Sequence, residues 1–280
     1  MRLWRLVLCL FASCGVLLTA SCTVGKTPQQ WFELTWAGLA GSDTLKFRGE
    51  AALMVEGENA QPEAFAYTGE LKNHTSLTLK AKLASQEKVL KAADRTLRTQ
   101  QFKPLEMKLT GTTWSVKGGA ETVKNLPGLA QSIARLHPLA ELEKLHVMKK
   151  QVTLEKGAAR GTRVLRIQTD PADESSYLRD LLTGEMADLR QEWELGLKQL
   201  PLIERASYQA KGVEVWKKSQ AEMNSMLDTA QVQSLYHLTI DRKSGLPIRL
   251  TSSTQIRYLD RKGTRRMESL WNDSRFTGYK

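Results

Sequence analysis

The chain has 280 residues, with 41 Lys and Arg against 30 Asp and Glu and a formal net charge of +11. Hydrophobic residues make up 41% and charged residues 25% of it. These proportions are ordinary for a globular protein and exclude collagen-like, disordered and multi-span membrane classes. The length suits one domain of about 250 residues or two smaller ones.

All three cysteines lie near the start of the chain, at Cys9, Cys14 and Cys22. The remaining sequence contains none. A disulfide framework, a thiolate metal site and a cysteine nucleophile are therefore excluded from the folded body.

The first 21 residues have the order of a secretory signal peptide. Met1 to Arg5 carries two arginines and no acid, Leu6 to Leu18 is an apolar run, and Thr19-Ala20-Ser21 places small residues before Cys22. The apolar run is shorter than the roughly 20 residues that cross a bilayer core. We therefore expect residues 1–21 to be removed.

The segment Leu18-Thr19-Ala20-Ser21-Cys22 resembles the lipobox of bacterial lipoproteins, with Thr19 where that family prefers leucine. Cys14 is the rival site, but it leaves only a short apolar run before it. The resemblance implies that Cys22 is lipidated, that residues 22–27 form a tether, and that the body is anchored outside the cytoplasm on a bacterial membrane. Two or more acyl chains make such an anchor stable. The alternative is an ordinary signal peptide with an incidental cysteine.

The basic charge of the body suits attraction to an anionic leaflet beside such an anchor. Its basic residues occur as scattered pairs, such as Lys80 and Lys82 or Arg265 and Arg266, and do not form a stripe. We therefore expect the membrane as a partner and no nucleic acid.

A helix is predicted to begin at Thr27-Pro28-Gln29-Gln30, because Thr caps, Pro suits the first helical position and Gln returns the hydrogen bond. The alternation that follows predicts an antiparallel meander with one dry face. The apolar positions of its three strands are Leu45, Phe47, Gly49, Ala51, Leu53 and Val55, then Phe65, Tyr67, Gly69 and Leu71, then Leu77, Leu79, Ala81 and Leu83.

The middle of the chain is predicted to be mostly helical. Leu126 to Leu145 indicates a helix with a kink at Pro138. After two strands at Gln151–Leu154 and Thr162–Gln168, Asp170 caps a long amphipathic helix that ends at Pro201. Another helix is predicted over Val215–Val232.

The chain closes with predicted strands at Leu235–Ile240, Pro247–Tyr258 and Thr264–Trp271. Gly245 and Gly263 suit the hairpin turns between them. Together the elements predict one α+β domain over residues 28–280, with at least seven antiparallel strands and three or four helices against the dry face of the sheet.

This order of elements resembles the LolA-like lipoprotein superfamily, which includes lipoprotein carriers and the mycobacterial LppX/LprG-type lipoproteins. The local likeness is the hairpin Asp241-Arg242-Lys243-Ser244-Gly245-Leu246-Pro247. The resemblance implies a bent antiparallel half-barrel packed over helices, with an apolar cavity between them. The candidate ligand-binding residues are Phe47, Phe65, Tyr67 and Leu79.

Motifs for catalysis are missing from the sequence. It contains no G-x-S-x-G elbow, Walker A motif or G-x-G-x-x-G motif, and its four histidines lie in separate elements. His137 and Glu141, four residues apart, are interpreted as a surface pair on a helix. We expect no catalytic residue, no metal site, no cofactor and no enzymatic activity.

Two functions remain open. In the first, the domain holds a lipid or another hydrophobic ligand in a cavity between sheet and helices. In the second, its interior is filled with side chains and it serves as a structural or sensory interaction module of a cell-envelope complex.

Lipidation is testable by metabolic labelling with an acyl-chain analogue. We expect the wild type to be labelled and Cys22→Ser to remain unlabelled, because Cys22 supplies the thiol that accepts the diacylglyceryl group. Equal labelling of both proteins would contradict the assignment of Cys22.

Overall fold

The computed structural model describes residues 25–56, 63–83, 105–111, 113–117 and 137–280. The signal peptide, Cys22 and the first residues of the tether lie outside the described residues. The same is true of most of the helix predicted over Leu126–Leu145, of which only the part from His137 is described.

Four helices occupy the described ranges: α1 (Pro28–Ala40), α2 (Pro138–Val147), α3 (Pro171–Gln199) and α4 (Leu202–Thr229). Helix α1 begins with the predicted capping box, in which Thr27 Oγ1 accepts from the Gln30 N–H at 3.2 Å and Gln30 Oε1 accepts from the Thr27 N–H at 2.9 Å. Asp170 caps α3 as predicted, accepting from the N–H groups of Ala172 and Asp173.

The predicted kink at Pro138 is wrong. Pro138 is the first residue of α2, where its missing N–H costs no helical hydrogen bond. The second long helix also begins earlier than predicted, directly after Pro201.

Within the described residues, ten strands form one antiparallel sheet in the order β5-β4-β3-β2-β1-β10-β9-β8-β7-β6. Their bounds are β1 Thr44–Val55, β2 Glu63–Lys72, β3 Ser76–Leu83, β4 Leu105–Thr110, β5 Thr113–Val116, β6 Lys150–Leu154, β7 Thr162–Thr169, β8 Gln231–Asp241, β9 Pro247–Leu259 and β10 Arg265–Thr277. Every neighbouring pair is antiparallel. The sheet is open, with β5 and β6 at its edges.

The predicted alternation is confirmed in the first strands. Phe47 and Leu79 are buried, whereas Arg48 and Lys80 next to them are exposed. We call the side that carries the buried residues the inner face. Buried Leu142 and Leu145 of α2 and Phe32 of α1 belong to the same hydrophobic core as this face.

Helix α2 shows that the sheet is bent. The His137 ring at its start contacts Trp114 of edge strand β5, with ring centroids 6.0 Å apart. One turn later, Glu141 bonds to β9 and β10. In a flat sheet, β5 and β10 would lie about 24 Å apart, whereas one helical turn advances about 5.4 Å. The sheet must therefore curl around α2, which gives the open half-barrel that the sequence resemblance implied.

Helices α3 and α4 form a long antiparallel pair, which we call the helical arm. Trp193 of α3 lies against Gly212 of α4, where a Cβ would come within 2.2 Å of the indole. Near the sheet, Arg179 pairs with Asp228 at 3.0 Å and Arg261 of the β9–β10 turn pairs with Glu222 at 3.0 Å.

In the described ranges, no helix combines the length and the apolar character that a bilayer crossing requires.

The face assignment predicts opposite results for two adjacent substitutions. Leu79→Asp places a charge at a position that is 2% exposed, so we expect it to cost about 4 kcal/mol of unfolding free energy or to prevent folding. Lys80→Asp lies on the other face and should change stability by about 0.5 kcal/mol or less. Urea unfolding measures both, and similar values would contradict the assignment.

Candidate functional site

The inner face is packed tightly at the end where β1 begins. The Phe47 ring lies across Gly69, where a Cβ would come within 2.3 Å of it, and Tyr67 covers Gly49 in the same way. Phe47 and Tyr67 contact each other with ring centroids 6.3 Å apart. Two glycines thus create the space in which these rings lie flat on the sheet.

A band of polar side chains crosses the middle of this face, which we call the polar band. It consists of Tyr67 on β2, Ser274 and Asn272 on β10, Ser252 on β9 and Tyr236 on β8, all of them buried. The Tyr67 hydroxyl donates to Asn272 Oδ1 at 2.6 Å and is hydrogen-bonded to Ser274 Oγ. Burial raises the pKa of Tyr67 to about 12, so this hydroxyl stays protonated as a donor.

Glu141 of α2, which packs against the inner face, bonds to the polar band. Its carboxylate accepts from Ser252 Oγ at 3.1 Å and from Asn272 Nδ2 at 3.0 Å. Burial raises the pKa of Glu141, while Lys144 and the two hydrogen bonds oppose that shift. The band therefore holds a carboxylate in an otherwise apolar interior because both of its oxygens have donors.

A buried ion pair joins the polar band to the helical arm. Lys144 Nζ donates to Glu174 Oε2 at 3.1 Å, and Glu174 Oε1 accepts from Thr169 Oγ1 at 2.8 Å. Lys144 also lies over the Tyr236 ring at 5.3 Å. Helix α2, the first turn of α3 and strands β7 and β8 are thereby locked together.

Beyond the polar band the inner face is no longer closed and carries both apolar and polar residues. Strand register places Leu53, Val55, Ile256 and Leu270 there, with Thr254 opposite Leu270 and Glu268 between Val55 and Ile256. Phe65 lies at the border of this part, in the same row as Ala51 and Asn272. Leu53, Val55, Phe65 and Ile256 are half-buried, and Leu270 is 41% exposed. We call these five apolar residues the open apolar end.

The four candidate ligand-binding residues all lie on the inner face. The rings of Phe65 and Tyr67 contact each other, with their centroids 5.9 Å apart. Phe47, Tyr67 and Leu79 are buried by protein side chains, whereas half-buried Phe65 belongs to the open apolar end. All four residues thus lie on the face that the alternation predicted to be dry, and whether a ligand contacts them stays a prediction.

Sequence reasoning missed most of the polar band. The last closing strand was predicted to end at Trp271, but β10 continues beyond it and carries Asn272 and Ser274 inward. Their polarity interrupts the apolar alternation that signals a strand. Polar residues that recur two positions apart, as at Ser252 and Thr254, were the signal that could have found the band.

The interpretation of His137 and Glu141 as a surface pair is wrong. The side chain of His137 is buried, and its Nδ1 caps α2 by accepting from the Ala140 N–H at 3.2 Å. Glu141 is half-buried, and its carboxylate bonds to Ser252 and Asn272 of the sheet. The pair lies inward because α2 rests across the curled face and not on its outside.

A comparison with protein-family models finds no match, and a comparison with curated proteins finds none either. Among solved structures, the chain is similar to lipovitellin, in a structure that describes its lipid–protein interactions, at 7% identity and a TM-score of 0.37. That alignment covers 85% of this chain and 25% of lipovitellin, so the chain spans about a quarter of that protein.

Two bacterial structures align over most of both chains. A LolA superfamily protein from Nitrosomonas europaea has 6% identity and a TM-score of 0.28, with 91% of this chain and 94% of that chain covered. An outer membrane lipoprotein-sorting protein domain from Vibrio parahaemolyticus has 8% identity and a TM-score of 0.25, with 89% and 93% covered. At these values the similarities assign neither a family nor a function.

His137 predicts a loss of stability in acid. Burial lowers its pKa to about 4, so the unfolded chain binds a proton near pH 6.5 before the folded chain does. As pH falls from 7 to 4, the wild type should lose on the order of 3 kcal/mol through this residue.

His137→Asn keeps a capping oxygen but does not titrate. Unfolding free energies at several pH values should therefore show a smaller acid loss in this variant than in the wild type. Parallel pH profiles for the two proteins would contradict a neutral, buried His137.

Proposed function

We propose that this chain is a membrane-anchored extracytoplasmic lipoprotein that binds a lipid or another hydrophobic ligand on the inner face of its bent sheet, without catalysis. The ligand would lie on the open apolar end, with Phe65 and Leu270 beside it. Phe47, Tyr67 and Leu79 would form the packed floor behind that position.

The observation that supports this proposal is a set of incompletely buried apolar residues on the inner face, beside the polar Thr254 and Glu268, beyond the point where protein side chains fill that face. Half-buried Leu53, Val55, Phe65 and Ile256 lie next to a Leu270 side chain that is 41% exposed. Covering such a surface with an acyl chain yields about 25 cal/mol for each Å² of apolar area removed from water. A filled core would instead bury these residues as completely as Phe47 and Leu250.

The polar band suits the boundary of such a site. Hydroxyl and amide groups of Tyr67, Ser252 and Asn272 already bond to one another and to Glu141, so they present no unpaired group to an apolar ligand. An acyl chain would end at the band instead of continuing into the packed half. The band thereby limits the length of chain that the site accepts.

The interaction module remains the second candidate because of the helical arm. The tip of the arm carries Leu202 at 78% and Ile203 at 94% exposure. Large apolar side chains this exposed at the end of a projecting hairpin are typical of a contact with another surface. This second function does not need the open apolar end.

Lipid extraction and mass spectrometry of the purified full chain test the first proposal. Leu270→Lys places a charge on the open apolar end, so we expect bound lipid to fall at least several-fold. Met54→Lys is the matched control, because Met54 is 48% exposed on the opposite face of the neighbouring strand β1.

Both positions are exposed, so both variants should keep the thermal stability of the wild type. Loss of lipid from Leu270→Lys alone supports the proposal. An empty wild-type protein, or equal lipid in all three proteins, would reject binding at the open apolar end and leave the interaction module.

A further inference from the structure

A second concave feature lies at the far end of strands β8, β9 and β10. It is a cleft of about 520 Å³. Its lining residues are Glu56, Thr229, Gln231, Arg257, Tyr258, Leu259, Arg265, Arg266 and Met267. Three of these residues are arginines and one is an acid, so the cleft wall is basic.

Most of this lining belongs to the outer side of the sheet. Arg257 and Leu259 alternate along β9 with inner-face residues such as Ile256, and Met267 and Arg265 do the same along β10. The cleft is therefore distinct from the open apolar end. Its chemistry is independent of the hydrophobic ligand proposed for the inner face.

Strand register makes two arginines neighbours on the outer side of the sheet. Arg257 lies opposite Met267, and Arg265 lies opposite Leu259. Arg257 and Arg265 are thus diagonal neighbours on one face, a relation in which the Cα atoms lie about 7–8 Å apart. Leu259 and Met267 lie between them and form an apolar floor.

The charges of these two arginines are not neutralised within the described part of the chain. Arg266 pairs with Asp260 at 3.0 Å, and Arg261 pairs with Glu222. In the described ranges, Arg257 donates only to the neutral Gln255 side chain, at 3.2 Å, and no carboxylate pairs with Arg265. Two neighbouring like charges repel each other, and an anion placed between them removes that repulsion.

We propose that this cleft binds a phosphate-type anion, through Arg257 and Arg265. The planar guanidinium forks match the geometry of phosphate oxygens and bind them bidentately. The apolar floor of Leu259 and Met267 accommodates the carbon part of a phosphate ester. The phosphate comes either from a soluble compound or from a lipid headgroup.

Titration calorimetry of the full chain in neutral detergent tests this proposal with two probes, inorganic phosphate and short-chain phosphatidylglycerol. We expect Arg257→Gln and Arg265→Gln each to weaken binding about tenfold, since each removes a charge-assisted contact. Added NaCl should weaken binding to the wild type further. Arg242→Gln is the control, because it removes one exposed arginine from the hairpin at the other end of β9.

Binding of inorganic phosphate that falls in the two cleft variants and not in Arg242→Gln supports a soluble source. The same pattern with phosphatidylglycerol alone supports a lipid headgroup. The proposal is overturned if neither probe binds the wild type, or if Arg242→Gln weakens binding as much as the cleft variants do. Phosphatidylglycerol binding that is unchanged in Arg257→Gln and Arg265→Gln also overturns it.

Discussion

The carboxylate of Glu141 holds helix α2 against the centre of the sheet, through Ser252 on β9 and Asn272 on β10. A buried carboxylate is tolerated only where donors satisfy its oxygens. The helix that carries it begins beside Trp114 on the edge strand β5. One helical turn therefore fixes both the position of α2 and the curvature of the sheet, and the division of the inner face follows from that placement.

The polar band divides the inner face of the sheet into two parts. On one side, aromatic rings lie flat over Gly49 and Gly69 and leave no space. On the other side, half-buried residues from β1, β2, β9 and β10 end in an exposed Leu270. The Lys144–Glu174 pair extends the band to the base of the helical arm, so a movement of the arm would disturb α2. Helix α2 and the arm are thus connected through a buried ion pair.

Much of the fold could be predicted from the sequence, because alternation at Phe47 and Leu79 and the caps at Thr27 and Asp170 are local signals. The polar band could not be predicted from the sequence, because Asn272 and Ser274 are buried, whereas polar residues usually face water. Partners from distant elements make that arrangement favourable, because Tyr67 bonds to both residues and Glu141 accepts from Asn272. The basic cleft was missed for a similar reason, since Arg257 and Arg265 become neighbours only through strand register.

Photocrosslinking with a fatty acid that carries a diazirine at the end of its chain tests ligand binding on the inner face most directly. The full chain is labelled, digested and analysed by mass spectrometry to locate the modified residues. We expect modification within the open apolar end, at Leu53, Phe65, Ile256 or Leu270. Modification confined to Leu202 and Ile203 at the tip of the helical arm, or to Met54 and Trp271 on the outer face, would contradict binding at the open apolar end.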